Sequence, residues 1–236
     1  MLRRNRHQRP RLRDPELATA WQLVSVLLDY PTETLQERAP TLAGIAATDL
    51  PPAVGDPLQR FLASIASTPL GELQREYVET FDVTRRCCLY LTYFAHGDTR
   101  KRGLALVQFK QAYRRAGVEF EADELPDHLS VVLEFGASYD RDTAWQLLND
   151  HRAGIEMLRI ALADKHSAWH DLLVALVATL PELKGEDEDK IAALVAQGPP
   201  AEEVGLDLEP YAMDPRLNPR PSETVELGQT IPVGAP

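Results

Sequence analysis

At 236 residues the chain suits one domain with tails, and 44% apolar and 26% charged residues are ordinary globular proportions. The net charge of −11 is uneven, because residues 1–13, MLRRNRHQRPRLR, hold six arginines and no acid and leave −17 on the rest. That acidic body argues against nucleic acid and anionic membrane surfaces as main partners, is compatible with a basic one, and contains no apolar run near the roughly 18 residues of a membrane span.

Residues 1–13 read as a basic disordered tail. Arg3-Arg4 has the twin arginine of an export signal, but no apolar segment or cleavage site follows, so the expected compartment is the cytoplasm. Asp14-Pro15 then marks a helix start, with Leu17, Trp21, Val24, Leu27 and Leu28 on one face and Tyr30-Pro31 as its end. A second helix over about 33–47 turns Leu35, Leu42 and Ile45 inward, and Pro40 weakens or kinks it. Asp56-Pro57 starts a third, with Leu58, Phe61, Leu62 and Ile65 as its stripe. Thr68-Pro69 starts a fourth, with Leu70, Leu73, Tyr77 and Phe81 at spacings of three and four.

The region from 77 to 113 concentrates seven of the chain's sixteen aromatic residues and both cysteines. Cys87 and Cys88 are adjacent, which suits buried reduced thiols rather than a disulfide framework or a zinc site. A helix is expected from about 86 to 96 with Leu89, Tyr90, Tyr93 and Phe94, ended by Gly97. GDTRKRG, closed by Gly103, is either a tight turn in which Asp98 caps the next helix and Arg100, Lys101 and Arg102 are solvated, or a turn that fixes the helix of Tyr90, Tyr93 and Phe94 against its neighbour. The next helix runs to Gly117 through Leu104, Val107, Phe109 and Tyr113. In ELPDHL, Pro126 opens a helix and places Asp127 and His128 in its first turn, followed by Leu129, Val132, Leu133 and Phe135. Asp142 starts a long helix through His151 to Leu162, and Ser167 starts another that Pro181 stops. Lys190 to Gln197 forms a last short helix. The final 38 residues, 199–236, hold eight of the eighteen prolines and read as a disordered tail. No apolar–polar alternation survives as a strand. The fold class is all-α, a compact single domain of about ten helices over 14–198.

No phosphate loop, HExxH or GxSxG motif is present. His166 and His170 are four apart, but Ser167 reads as a helix start between them, so no metal site is assigned. The ELPDHL segment is either a plain capped helix or a loop presenting an acid and an imidazole beside a groove. Tyr90, Tyr93 and Phe94 are either core or the aromatic lining for an amphipathic peptide helix.

FDVTRRCCLYLTYFAHGDTRKRGLAL, residues 81–106, closely resembles the signature of NarJ-type nitrate reductase assembly chaperones. ELPDHLSVVLEF, residues 124–135, resembles the E-x-P-D-H-L segment of the wider TorD and DmsD group of redox-enzyme maturation proteins. The likeness covers about residues 15–198. It implies a TorD-like, cytoplasmic chaperone without catalytic activity. Its partner would be the catalytic (alpha) subunit of respiratory nitrate reductase, gripped by a leader-like N-terminal peptide. The apoprotein would be held open for molybdenum cofactor and iron–sulfur insertion before membrane docking. The chaperone itself holds no cofactor stably, and molybdenum cofactor biosynthesis proteins are admitted as further partners. In the wider group the E-x-P-D-H-L loop is tied to peptide binding, which carries over to Glu124, Pro126, Asp127, His128 and Leu129. A chaperone for another molybdoenzyme is the nearest alternative, and a helical metal-dependent hydrolase using His128 a more distant one.

Overall fold

The computed structural model describes residues 12–97, 99–120 and 124–183, with positions 189, 192 and 193. Among these residues the architecture is all-α, with ten α-helices and one isolated bridge. In order they are α1 (Asp14–Leu27), α2 (Glu33–Asp49), α3 (Pro52–Ser67), α4 (Leu70–Tyr77), α5 (Tyr93–His96), α6 (Arg100–Arg115), α7 (Leu129–Ser138), α8 (Arg141–Asp150), α9 (Arg152–Asp164) and α10 (His170–Thr179). None of the described helices is long and apolar enough to cross a membrane. The 199–236 tail and all but three positions of the C-terminal acidic run and last helix lie outside the described residues, as do residues 1–11.

The predicted stripes of α1 and α3 are core, while Leu42 and Ile45 of α2 are only partly buried. Leu17, Trp21, Val24, Leu27 and Leu28 are buried on α1, and Leu58, Phe61, Leu62 and Ile65 on α3. α1 packs against α7 and α10, and α3 against α2 and α10. Trp21 Nε1 donates to Thr179 Oγ1 at 3.1 Å, and Ser25 Oγ donates to the Ser130 carbonyl at 2.8 Å. Those two bonds satisfy buried polar atoms while tying α1 to α10 and α7. A second aromatic nest joins Trp169 to Phe61, Tyr77 and Phe81 at centroid distances of 5.7, 5.8 and 5.7 Å.

Several starts and stops differ from the sequence expectation. α1 is capped by Arg13, whose backbone and guanidinium both bond Glu16, so Asp14 and Pro15 are the first helical residues. Leu12 packs partly on the core. α3 begins at Pro52, and Asp56-Pro57 lies within it. Pro57 has no N–H for the Ala53 carbonyl, and the helix nevertheless continues through it. α2 likewise continues through Pro40. α4 runs on into a single π turn over Val78–Asp82. The long helix expected from Asp142 is two helices, with Asp140 as the cap of α8 and a break at His151. Asp140 Oδ1 accepts the Thr143 N–H at 3.0 Å, the reason the helix starts there.

The segment expected as a helix from 86 to 96 is a further correction. It forms a 3₁₀ turn over Arg85–Cys87, then extended backbone, then the four residues of α5. Its extended part pairs with the ELPDHL loop, where Leu129 N–H reaches the Leu89 carbonyl at 2.9 Å and Leu91 N–H reaches the Asp127 carbonyl at 3.0 Å. On α6 the buried face is Ala105, Phe109 and Tyr113, whereas Leu104 and Val107 are exposed. Thr99, not the Asp98 expected from sequence, occupies the N-cap position of α6; Asp98 lies outside the described residues.

Gly136 marks the closest approach among α1, α7 and α8. A Cβ there would stand 2.5 Å from Ala144 Cβ and 2.6 Å from Trp21 Cζ3. Gly136→Ala therefore overpacks a wholly buried contact and is expected to cost about 1–3 kcal/mol, read as a lowered midpoint in thermal unfolding. An unchanged midpoint would show that α7 can slide away from Trp21 freely.

Candidate functional site

The ELPDHL loop is held from below. Tyr113 Oη donates to the Pro126 carbonyl at 2.5 Å, and Tyr113 itself packs on Phe135 with centroids 4.5 Å apart. Pro126 is buried and lies in a turn, with the His128 N–H bonded to the Leu125 carbonyl at 3.0 Å. The helix therefore starts at Leu129, with His128 at its cap position, rather than at Pro126. Asp127 and His128 are not first-turn residues.

Asp127 is fully buried, and its Oδ2 accepts the Thr92 backbone N–H at 3.1 Å and the Thr92 hydroxyl at 2.6 Å. The carboxylate latches the loop onto the chain before α5 and does not present its charge to a groove. His128 is also buried, with Nδ1 2.7 Å from Ser130 Oγ and its ring edge-on to Tyr90 at 5.2 Å. Burial pushes its pKa below the ordinary value, against the opposing pull of Glu124 and Asp127. The imidazole is thus neutral at pH 7.

Tyr90 reaches outward. Its hydroxyl donates to Glu124 Oε1 at 2.8 Å, and burial together with that bond pushes the phenol upward. Arg102 of α6 lies over Tyr90 and Tyr93 at 5.2 and 5.9 Å and donates through Nε to Thr92 Oγ1 at 3.4 Å. The GDTRKRG motif thus fixes the aromatic segment from the side through Arg102. Arg100 and Gly103 are exposed on the same helix. Tyr93 is buried, and Phe94 packs over Gly154 of α9, where a Cβ would come within 2.9 Å of its ring. Tyr90 thus joins Glu124 and His128, whereas Tyr93 is buried and Phe94 lies against Gly154.

Glu124 and His128 line a groove of about 710 Å³ that the sequence did not reveal. Its other walls come from the end of α1, from α2, from Tyr77 and from α7. Among the described residues three carboxylates face it, Asp29, Glu124 and Glu134, against one guanidinium, Arg38. Burial, and then the charges of Glu134 and Glu124, hold the Asp29 carboxyl above the usual range. Such mutual repulsion is relieved by a bound cation. The apolar part includes Leu35 and the exposed Val26 and Tyr30, the last stacked edge-on against Tyr77 at 5.4 Å. An amphipathic basic helix matches both components. Tyr30 reads from sequence only as a helix end, and Asp29 and Glu134 carry no sequence signal.

His166 and His170 stand on either side of the turn between α9 and α10, His166 with a left-handed φ of 52°. Among the described residues no three His, Cys, Asp or Glu side chains cluster as metal ligands.

Residues 47–175 match the family model described as nitrate reductase delta subunit. The chain is 32% identical over 179 residues to the nitrate reductase molybdenum cofactor assembly chaperone NarJ of Escherichia coli K12, covering 74% of each chain. It is 39% identical over 160 residues to the nitrate reductase-like protein NarX of Mycobacterium tuberculosis H37Rv, covering 67% of this chain but only 24% of that much longer protein. A crystal structure from Archaeoglobus fulgidus, described as a redox enzyme maturation protein, superposes with a TM-score of 0.50 at 22% identity, over 69% of this chain and 91% of that one. The last likeness concerns the fold.

Proposed function

Because the chain belongs to the nitrate reductase delta subunit family, we propose that it is an assembly chaperone for a respiratory nitrate reductase and not a catalyst. Its client is the catalytic subunit, which it keeps open for molybdenum cofactor and iron–sulfur insertion in the cytoplasm before the complex docks on the membrane. The client's leader-like N-terminal peptide binds as a basic amphipathic helix in the groove beside the ELPDHL loop. The observation that carries the peptide site is the meeting of Asp29, Glu124 and Glu134 with the exposed Val26 and Tyr30 in one groove. The carboxylates meet the peptide's arginines or lysines, and the apolar wall takes its apolar face.

Calorimetric titration of the client's N-terminal peptide into the full chain tests this. Asp29→Asn and Glu134→Gln are each expected to weaken binding about tenfold, with the melting midpoint as the control for folding. The pH dependence has a definite sign. A cationic peptide lowers the raised pKa of Asp29, so its contribution is present when Asp29 is ionised. That contribution is lost as pH falls through the raised value of the free protein. His128, depressed by burial, charges only below its ordinary value and then adds a positive charge to the same groove. Both changes disfavour a basic peptide, so affinity should fall as the pH is lowered from neutrality through the Asp29 transition. Affinity that is flat with pH and unaltered in both variants would move the peptide out of this groove.

A further inference from the structure

α6 meets the body with Ala105, Phe109 and Tyr113, and its Arg102 is turned over Tyr90 and Tyr93. The opposite face of the helix is open. Along it Arg100, Leu104, Val107, Gln111 and Arg114 follow one another at spacings of four and three, the seam spacing of two packed helices. Leu104 is 69% exposed and Val107 49%. Lys101, Lys110 and Arg115 flank the seam and are exposed as well. None of these residues lines the acidic groove.

This composition is costly for a helix that had only to cover the core. α6 holds six of the chain's 25 lysines and arginines and no acid. Arg100, Lys101 and Arg102 stand in its first turn, at the positive end of the helix dipole, where an acid stabilises and a cation does not. Lys110 and Arg114, four apart, repel one another on the surface. Among the described residues no carboxylate pairs with Arg100, Lys101, Lys110, Arg114 or Arg115. The helix is thus a positive strip on an otherwise acidic chain, with two bare apolar side chains at its middle and cations at both ends. A helix with apolar residues at its centre and acids on its flanks matches every part of that pattern. An anionic lipid surface matches it less well. The acidic body is repelled by such a surface, and an interfacial helix buries a broad apolar face, whereas here Gln108 and Gln111 stand beside only two apolar residues.

We propose that the open face of α6 is a second docking surface, for an acidic amphipathic helix of a partner protein. The partner seats its apolar row on Leu104 and Val107 and sets its carboxylates against the flanking cations. In doing so it neutralises the like charges that strain α6 and covers its exposed apolar pair.

The probe is a fluorescein-labelled heptad peptide with leucine at the two seam positions and glutamate at the flanking positions, whose like charges keep it from pairing with itself. Its binding to the full chain is read by fluorescence anisotropy. Two control peptides carry glutamine for the glutamates or serine for the leucines, and each is expected to bind at least about tenfold more weakly. Leu104→Ser with Val107→Ser, and separately Arg114→Gln with Arg115→Gln, should each weaken the acidic peptide by about tenfold or more. Melting midpoint and client-peptide affinity should not change, because all four positions are exposed and outside the groove. Binding to the arginine variant should also depend less on salt. No binding of the acidic peptide, or binding that both variants leave intact, would overturn the surface. Attachment of the full chain to phosphatidylglycerol vesicles through Leu104 and Val107 would overturn the partner assignment, as would sedimentation showing the wild type to pair with itself through the same residues. Every variant leaves the groove residues in place, so the outcome is separate from that of the client-peptide site.

Discussion

Cells lacking this protein are expected to make nitrate reductase subunits that stay inactive, with the catalytic subunit short of molybdenum. The expectation rests on the family match over residues 47–175 and on the similarity to a molybdenum cofactor assembly chaperone. Loss of activity should be nearly complete if no second chaperone serves the same client. Nitrate reduction in the deletion strain, with metal analysis of the purified catalytic subunit, measures it. Complementation then connects the phenotype to the groove. Gene copies carrying Asp29→Asn with Glu134→Gln should rescue poorly, because the peptide's basic face loses two of its three carboxylates. Arg159→Gln, outside that groove, should rescue client assembly fully. A deletion strain whose catalytic subunit carries normal molybdenum would remove the chaperone assignment altogether.

The helical stripes were legible because apolar periodicity is a local signal. Leu17, Trp21, Val24 and Leu28 follow the helix period, and burying them needs only a neighbour of any kind. The errors came where a distant partner decides the backbone. Cys88 to Leu91 has the residues of a helix but pairs with Asp127 to Leu129, almost forty positions away, and nothing within the segment announces that. Leu104 and Val107 read as inward because they are apolar. α6, however, buries a narrow face at Ala105, Phe109 and Tyr113, and the adjacent face stays open.

The candidate site was legible in half. Glu124 and His128 came from the resemblance of the ELPDHL segment, and Tyr90 from its aromatic neighbourhood. Asp29 and Glu134 carried no signal, since an acid at a helix end or on a solvated face is ordinary. They converge because α1 packs along α7, a contact fixed by Trp21, Ser25 and the bare backbone of Gly136. The loop was expected to offer Asp127 to the ligand. Burial instead makes Asp127 a latch, and of the acids that face the groove only Glu124 belongs to the loop, while Asp29 and Glu134 come from other elements.

That reassignment gives Asp127→Ala a large effect on the fold itself. The carboxylate and Thr92 are both fully buried, and Oδ2 takes both the backbone N–H and the hydroxyl of Thr92. Removing the acceptor strands a backbone N–H where no water reaches. The expected loss is about 2–3 kcal/mol, the range for a buried charged hydrogen bond whose partner is left unpaired. For a body of this size that lowers the melting midpoint by roughly 5–10 °C. Asp127→Asn should cost less, since an amide oxygen can still accept from Thr92. Thr92→Val removes the hydroxyl partner, and the Asp127→Ala, Thr92→Val double variant should lose less than the sum of the two single losses. Peptide affinity, measured well below the new midpoint, should fall only modestly, through the slackened hold on Glu124 and His128. The opposite pattern, an unchanged midpoint with peptide affinity lost, would return Asp127 to direct contact with the ligand and displace the groove lined by Asp29 and Glu134 as the main recognition surface.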